Sequence, residues 1–137
     1  MLTTLHLLAS LFFFAPSPVN VTVNSTAAQK GNFHLAVYAT PKDYKARKSI
    51  VGGIKPAADG VSFLVNLPVG GNYVISGYHD VNGNGKLDFN MVGIPKEPYG
   101  FVTVPPSKWE EPDFSQIATT IKGGESTQLR LKLWKEH

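Results

Sequence analysis

Asp80-Val81-Asn82-Gly83-Asn84-Gly85-Lys86-Leu87-Asp88 sets oxygen-bearing side chains at alternate positions around tight glycine turns, the arrangement by which a loop wraps a hard cation. Asp80, Asn82 and Asn84 stand at the first, third and fifth positions of a calcium loop. Gly85 stands at the sixth, the Lys86 carbonyl at the seventh and Asp88 at the ninth. The donors are carboxylate and amide oxygens, which favour Ca2+ over softer metals. The match stops at the twelfth position, where Met91 replaces the bidentate glutamate of a helix-loop-helix calcium site. Glu97 is a further candidate, as a third carboxylate ligand or as a support for the others if the loop folds back. So few charges predict weak affinity, on the order of 10⁻⁴ to 10⁻³ M. The competing reading is turn chemistry alone, because Asn82-Gly83 and Asn84-Gly85 supply positive φ with or without an ion.

His79 precedes Asp80, but neighbours on a strand point to opposite faces, so the two do not form a catalytic pair. His34 is isolated in the sequence, and His6 and His137 lie near the ends. No histidine cluster suggests zinc or a catalytic triad. The absence of cysteine excludes disulfides, thiolate metal sites and a cysteine nucleophile.

The elements that must hold this loop read as strands. Val19, Val21 and Val23 alternate with polar residues, as do Phe33, Leu35 and Val37. Residues 41–49 suit a helical turn or loop, and residues 50–55 a short edge strand weakened by Gly52-Gly53. Residues 61–67 and 73–79 are expected to pair as a hairpin across Pro68-Val69-Gly70-Gly71. Residues 80–112 are long and rich in Gly, Pro and Asn, the mark of a functional or ion-linked loop. Residues 116–121 and 127–134 read as closing strands, with Leu129, Leu131 and Leu133 on one face and Arg130 and Lys132 on the other. Trp134 is expected to close the core. With 13 Gly and 10 Pro in 137 residues, short strands joined by turns are favoured over long helices. One wet and one apolar face on about seven strands predicts an all-β, antiparallel β-sandwich, as in immunoglobulin-like domains.

Residues 1–18 resemble an export signal, or else a retained N-terminal hydrophobic segment, since Leu2 to Phe14 is largely apolar and no charged residue precedes Lys30. The run is too short to be a comfortable membrane span. Residues 19–137 then form one domain, exported to the periplasm, the cell envelope or the medium. The basic residues Lys42, Lys45, Arg47 and Lys48 come with no nucleic-acid motif, so nucleic acid is not an expected partner.

Gly71-x-Tyr73, then His79-Asp80-x-Asn82-x-Asn84-Gly85-Lys86-Leu87-Asp88-x-Asn90, then Gly93-x-Pro95-x-Glu97-x-Tyr99-Gly100-Phe101 resembles the bacterial domain-of-unknown-function family 2141. The resemblance implies an exported β-sandwich of transthyretin-like or carboxypeptidase-regulatory-like type. Val102 stands where that family commonly has serine, so no role resting on that serine carries over. Tyr99 and Phe101 are expected to pack over the sandwich end or, with Tyr38, Tyr44, Tyr78 and Trp109, to offer aromatic faces to sugar or peptide. The expected function is a non-enzymatic accessory or binding domain of the envelope, monomeric or weakly oligomeric. Its partner is an envelope protein, peptide or polysaccharide. The alternatives are a small transthyretin-like hydrolase and a structural domain whose loop binds no ion. The hydrolase is disfavoured because the chain ends Leu133-Trp134-Lys135-Glu136-His137 rather than in the Tyr-Arg-Gly-Ser signature of those enzymes.

Overall fold

A computed structural model describes residues 15–27, 29–107 and 110–135. The hydrophobic run up to Phe14, His6, Trp109 and His137 lie outside the described residues. Eight strands among them form two sheets: β1 (Ser17–Ser25), β2 (Asn32–Tyr38), β3 (Val51–Pro56), β4 (Val61–Leu67), β5 (Gly71–Asp80), β6 (Tyr99–Phe101), β7 (Thr119–Ile121) and β8 (Thr127–Leu133). Two short helices, α1 (Pro41–Lys45) and α2 (Phe114–Ile117), lie between strands.

One sheet runs β4-β1-β8 and the other β3-β2-β5-β6, with β7 pairing the start of β5. The alternation seen in the sequence becomes the core: Val19, Val21, Val23, Phe63, Val65, Leu67, Leu131 and Leu133 from the first sheet meet Phe33, Leu35, Val37, Tyr73 and Ile75 from the second. The result is an all-β, sandwich-like fold, rich in antiparallel pairs. The first and last strands depart from the antiparallel rule, with β1 and β8 parallel from Val19↔Thr127 to Ser25↔Leu133. No helix of the described residues is long and apolar enough to cross a membrane.

Four expectations are corrected. Residues 61–67 and 73–79 do not pair as a hairpin, because β4 pairs with β1 and β5 with β2. Both strands bury one apolar face in the same core, and Pro68 to Gly70 carries the chain from one sheet to the other. Gly70 permits the crossing, since a Cβ there would lie 2.4 Å from the Gly123 nitrogen. Residues 116–121 are not one strand: Gln116 Oε1 accepts from Asp113 N–H at 2.9 Å, starting α2 before β7 begins. The long segment contains β6, whose Gly100 lies so close to β8 that a Cβ would sit 2.4 Å from the Lys132 carbonyl oxygen. Trp134 closes the sandwich edge instead of its core, exchanging backbone hydrogen bonds with Tyr99 and stacking on its ring at 5.9 Å.

The expected edge strand is present as β3, and residues 41–45 are helical, with the Thr40 hydroxyl accepting from Asp43 N–H. A second apolar cluster of Tyr38, Tyr44, Val74 and Ile117 binds the two helices to the β2–β5 sheet, with Phe101 packed against it. The expected domain start at residue 19 compares with a strand that begins at Ser17, whose buried hydroxyl donates to the Lys122 carbonyl.

Candidate functional site

Strand β5 delivers the site. Its alternation turns His79 inward and Asp80 away from the core, as the pleat requires. His79 is fully buried, edge-on to the Phe33 ring at 4.9 Å. Its Nδ1 lies 2.8 Å from the Ser25 hydroxyl and its Nε2 2.5 Å from the Lys30 carbonyl. This clip ties the end of β1 to β5. His79 is therefore the structural strand-end residue its position suggests.

Asp80 is 1% exposed and organises the turn that follows. Its Oδ1 accepts from Asn84 N–H at 3.1 Å and its Oδ2 from Gly85 N–H at 2.8 Å. The His34 Nε2 lies 3.4 Å from Oδ2. Asn82 Oδ1 accepts from Asn84 N–H and Asn84 Oδ1 from Lys86 N–H, so each side chain caps backbone two residues on. Gly83 and Gly85, at φ 71° and 83°, supply the left-handed conformations these turns demand. The two amide nitrogens converge on one oxygen: Asn82 Nδ2 and Asn84 Nδ2 donate to Asp88 Oδ2 at 2.9 and 2.7 Å.

Glu97 folds back onto the loop. It is 6% exposed, with Oε1 accepting from Val81 N–H at 3.0 Å and Oε2 from Asp88 N–H at 3.4 Å. Asp88 completes the return, its carbonyl accepting from Lys96 N–H at 2.7 Å. Asp80, Asn82, Asn84, Asp88 and Glu97 thus belong to one hydrogen-bonded loop. Lys86 enters it through its amide, and its side chain is exposed. Among the described residues, no group of three His, Cys, Asp or Glu side chains gathers closely enough to hold a metal by itself. Ion binding therefore has to draw on the asparagine oxygens and backbone carbonyls as well.

The electrostatics follow from this geometry. The Asn82 and Asn84 amides hold the Asp88 carboxyl below its ordinary range, with Lys86 and Lys96 adding to the effect. Burial, reinforced by Asp80, Glu97 and Asp88, pushes the Tyr78 phenol up to about 12. Tyr78 donates to the Gly85 carbonyl at 3.1 Å and stacks on His34 with ring centres 4.5 Å apart. A shallow cleft of about 350 Å³ opens beside the loop, where Lys30, Asn82, Asp88, Phe89, Lys96 and Glu97 meet.

The family model for domain-of-unknown-function family 2141, described as an uncharacterized protein conserved in bacteria, matches residues 21–129. The chain belongs to this family. No curated protein and no solved structure matches it. In this member of family 2141 the segment from β5 to β6 lies wholly within the matched span and contains all six candidate ligands.

Some of the expected aromatic surface is absorbed by packing: Tyr38, Tyr44 and Phe101 belong to the cluster beneath the helices, and Tyr99 stacks on Trp134. Sequence reasoning missed Ser25, Lys30 and His34. The signal for His34 was its strand register, which pairs it with Tyr78 two residues before Asp80.

Proposed function

We propose that this member of family 2141 is an exported, non-enzymatic accessory module of the bacterial cell envelope, with a weak calcium site in the loop from Asp80 to Glu97. The observation that carries the reading is the placing of Asp80, Asp88 and Glu97 in one hydrogen-bonded loop, with two asparagine amides between them and without a lysine or arginine salt bridge to any of the three among the described residues. Apart from His34 Nε2, 3.4 Å from Asp80, their partners are backbone and asparagine N–H groups, which compensate negative charge less completely than a cation does. Asp80, Asn82, Asn84 and Asp88, with the Lys86 carbonyl, form the donor set, and Glu97 steadies both arms. The chemistry is hard oxygen donors in a glycine-hinged loop, which suits calcium. The ion would act as a staple for a segment with little apolar surface of its own.

Thermal unfolding with calcium, magnesium or chelator tests this. For a dissociation constant of about 10⁻³ M, roughly 10 mM calcium stabilises the folded state by about 1.4 kcal/mol. That corresponds to a rise of roughly 5 °C at this size. The rise should be specific to calcium and absent from Asp88→Ala and Asp80→Ala. An unchanged melting temperature supports the second reading, a purely structural loop. That reading has its own support, because each carboxylate in the loop already accepts internal hydrogen bonds. Cell fractionation tests export separately, and recovery of the chain in the cytoplasm would overturn that part.

A further inference from the structure

We propose that Asn82 is a self-modifying position: its side-chain amide is lost to attack by the Gly83 backbone nitrogen, leaving aspartate or isoaspartate in the loop, while Asn84 is spared. Asparagine followed by glycine is the pairing most open to this deamidation, because glycine has no Cβ to shield its own nitrogen. The chain has two such pairs, Asn82-Gly83 and Asn84-Gly85, directly joined. Both are exposed, and at both glycines the space a Cβ would enter is clear to 4 Å. Access therefore does not separate them. The attacking nitrogen does. Gly85 N–H donates to Asp80 Oδ2 at 2.8 Å, and Asp80 is 1% exposed at the end of β5. No described residue accepts a hydrogen bond from Gly83 N–H.

The Asn82 side chain is set to receive the attack. Its Oδ1 accepts from Asn84 N–H at 3.3 Å, which draws electrons from Cγ, and its Nδ2 donates to Asp88 Oδ2 at 2.9 Å. Gly83 N gives its proton to water or hydroxide and bonds to Asn82 Cγ. The Cγ–Nδ2 bond breaks, and Nδ2 takes up a proton and leaves as ammonia. Water then opens the cyclic imide at Cγ, giving aspartate, or at the Asn82 backbone carbonyl carbon, giving isoaspartate. The net change is one amide and one water to one carboxylic acid and one ammonia. Asn84 has the same support, from Lys86 N–H at 3.1 Å and Asp88 Oδ2 at 2.7 Å, but Gly85 N–H must first leave the Asp80 carboxylate. The aspartate product replaces a donor to Asp88 with a second carboxylate facing it, so the two repel unless a cation lies between them. Calcium loops gain affinity with ligand charge, so the aged loop should hold the ion more tightly. That consequence rests on the calcium reading, whereas the selectivity between the two asparagines does not.

The test is incubation of the full chain in mildly alkaline buffer with chelator, followed by peptide mapping that resolves asparagine, aspartate and isoaspartate at each position. In the folded protein Asn82 should lose its amide about tenfold faster than Asn84 or more, the factor that a charge-assisted hydrogen bond on Gly85 N–H imposes. In urea, where Asp80 no longer holds Gly85, the two rates should converge. Equal rates in the folded chain, faster loss at Asn84, protection of both until urea is added, or a ratio that urea leaves unchanged would overturn the proposal. Asn82→Asp reads the consequence: calcium should raise its melting temperature more than that of wild type. A wild-type calcium response that Asn82→Asp does not exceed would overturn the coupling alone. No response in either protein would overturn the calcium reading and leave the selectivity standing.

Discussion

Replacing Glu97 by alanine removes the side chain that joins the two arms of the loop, because one of its oxygens binds Val81 N–H just after β5 and the other Asp88 N–H on the return. Glu97 is 6% exposed, so water does not readily replace it. Loss of a buried, charged acceptor from the 3.0 Å bond to Val81 costs about 1.5–3 kcal/mol, and the 3.4 Å contact adds little at that length. For a domain of this size, roughly 4 °C per kcal/mol predicts a melting temperature lower by about 6–12 °C. Glu97→Gln keeps an amide oxygen for Val81 and loses the charge, so it should fall about halfway between. Hydrogen exchange supplies the local readout: the Val81 and Asp88 amides should lose protection in Glu97→Ala while the core amides of β1 keep theirs at matched stability. A Glu97→Ala protein that melts within about 2 °C of wild type, with the Val81 amide still protected, would refute the assignment of Glu97 as the joint of the loop.

Tyr78 predicts an alkaline limb of stability. Its phenol is held protonated up to about 12 in the folded chain, against an ordinary value of 10.0, so between those values the folded state binds more proton than the unfolded state. The contribution is fully present below pH 10 and is lost as pH rises toward 12; absorbance titration should show a late-ionising tyrosine that Tyr78→Phe removes, together with a shallower alkaline loss of melting temperature. Asp88 predicts an acid limb of opposite sense: its folded carboxyl titrates below 3.8, so its contribution is present above that value and lost as pH falls through the folded one. Asp88→Asn should flatten that limb. Gly31→Ala should lower the melting temperature by about 10 °C or more, because Gly31 adopts φ 72° and a Cβ would lie 2.0 Å from the Asp80 carbonyl oxygen.

The strands were legible where burial alternates strictly. Val19, Val21 and Val23 of β1, and Leu131 and Leu133 of β8, all lie in the buried core. Pairing was less legible, because alternation fixes which face is buried but not which sheet a strand joins. Hence β4 and β5 look like a hairpin in the sequence and lie in opposite sheets in space. Strand β6 escaped notice because three residues carry too little periodicity, and its place against β8 depends on Gly100, whose signal is a missing side chain. The Asp80 loop was visible because its turn chemistry and its donor spacing coincide. Glu97 was harder to place, since its reach back to Val81 depends on the turn between residues 89 and 95 bringing the chain home. His34 had no local signal at all; only the β2–β5 register sets it beside Tyr78 and Asp80.

The loop divides into a part that belongs to the sheet and a part that does not, and this governs how its carboxylates respond to substitution. Asp80 is the last residue of β5, almost wholly buried, and pairs with Asn32 while its carboxylate closes the turn through Asn84 and Gly85. Removing it leaves Gly85 N–H without its acceptor, and Asn84 N–H with only the longer bond to Asn82 Oδ1, whether or not an ion binds, so Asp80→Ala combines a loss of fold with a loss of ligand. Asp88 differs, because its side chain faces solvent and its partners are two asparagine amides that water can satisfy. A variant at Asp88 should therefore leave the sheet intact and report on ion binding almost alone. If calcium acts here as a staple, its effect vanishes in Asp88→Ala while the ion-free melting temperature falls only by the small contribution that the acid limb measures. If the loop is held only by its own hydrogen bonds, Asp80→Ala weakens the protein equally with and without calcium. The contrast between these two aspartates, eight residues apart in sequence, thus separates a coordination role from a turn-forming one.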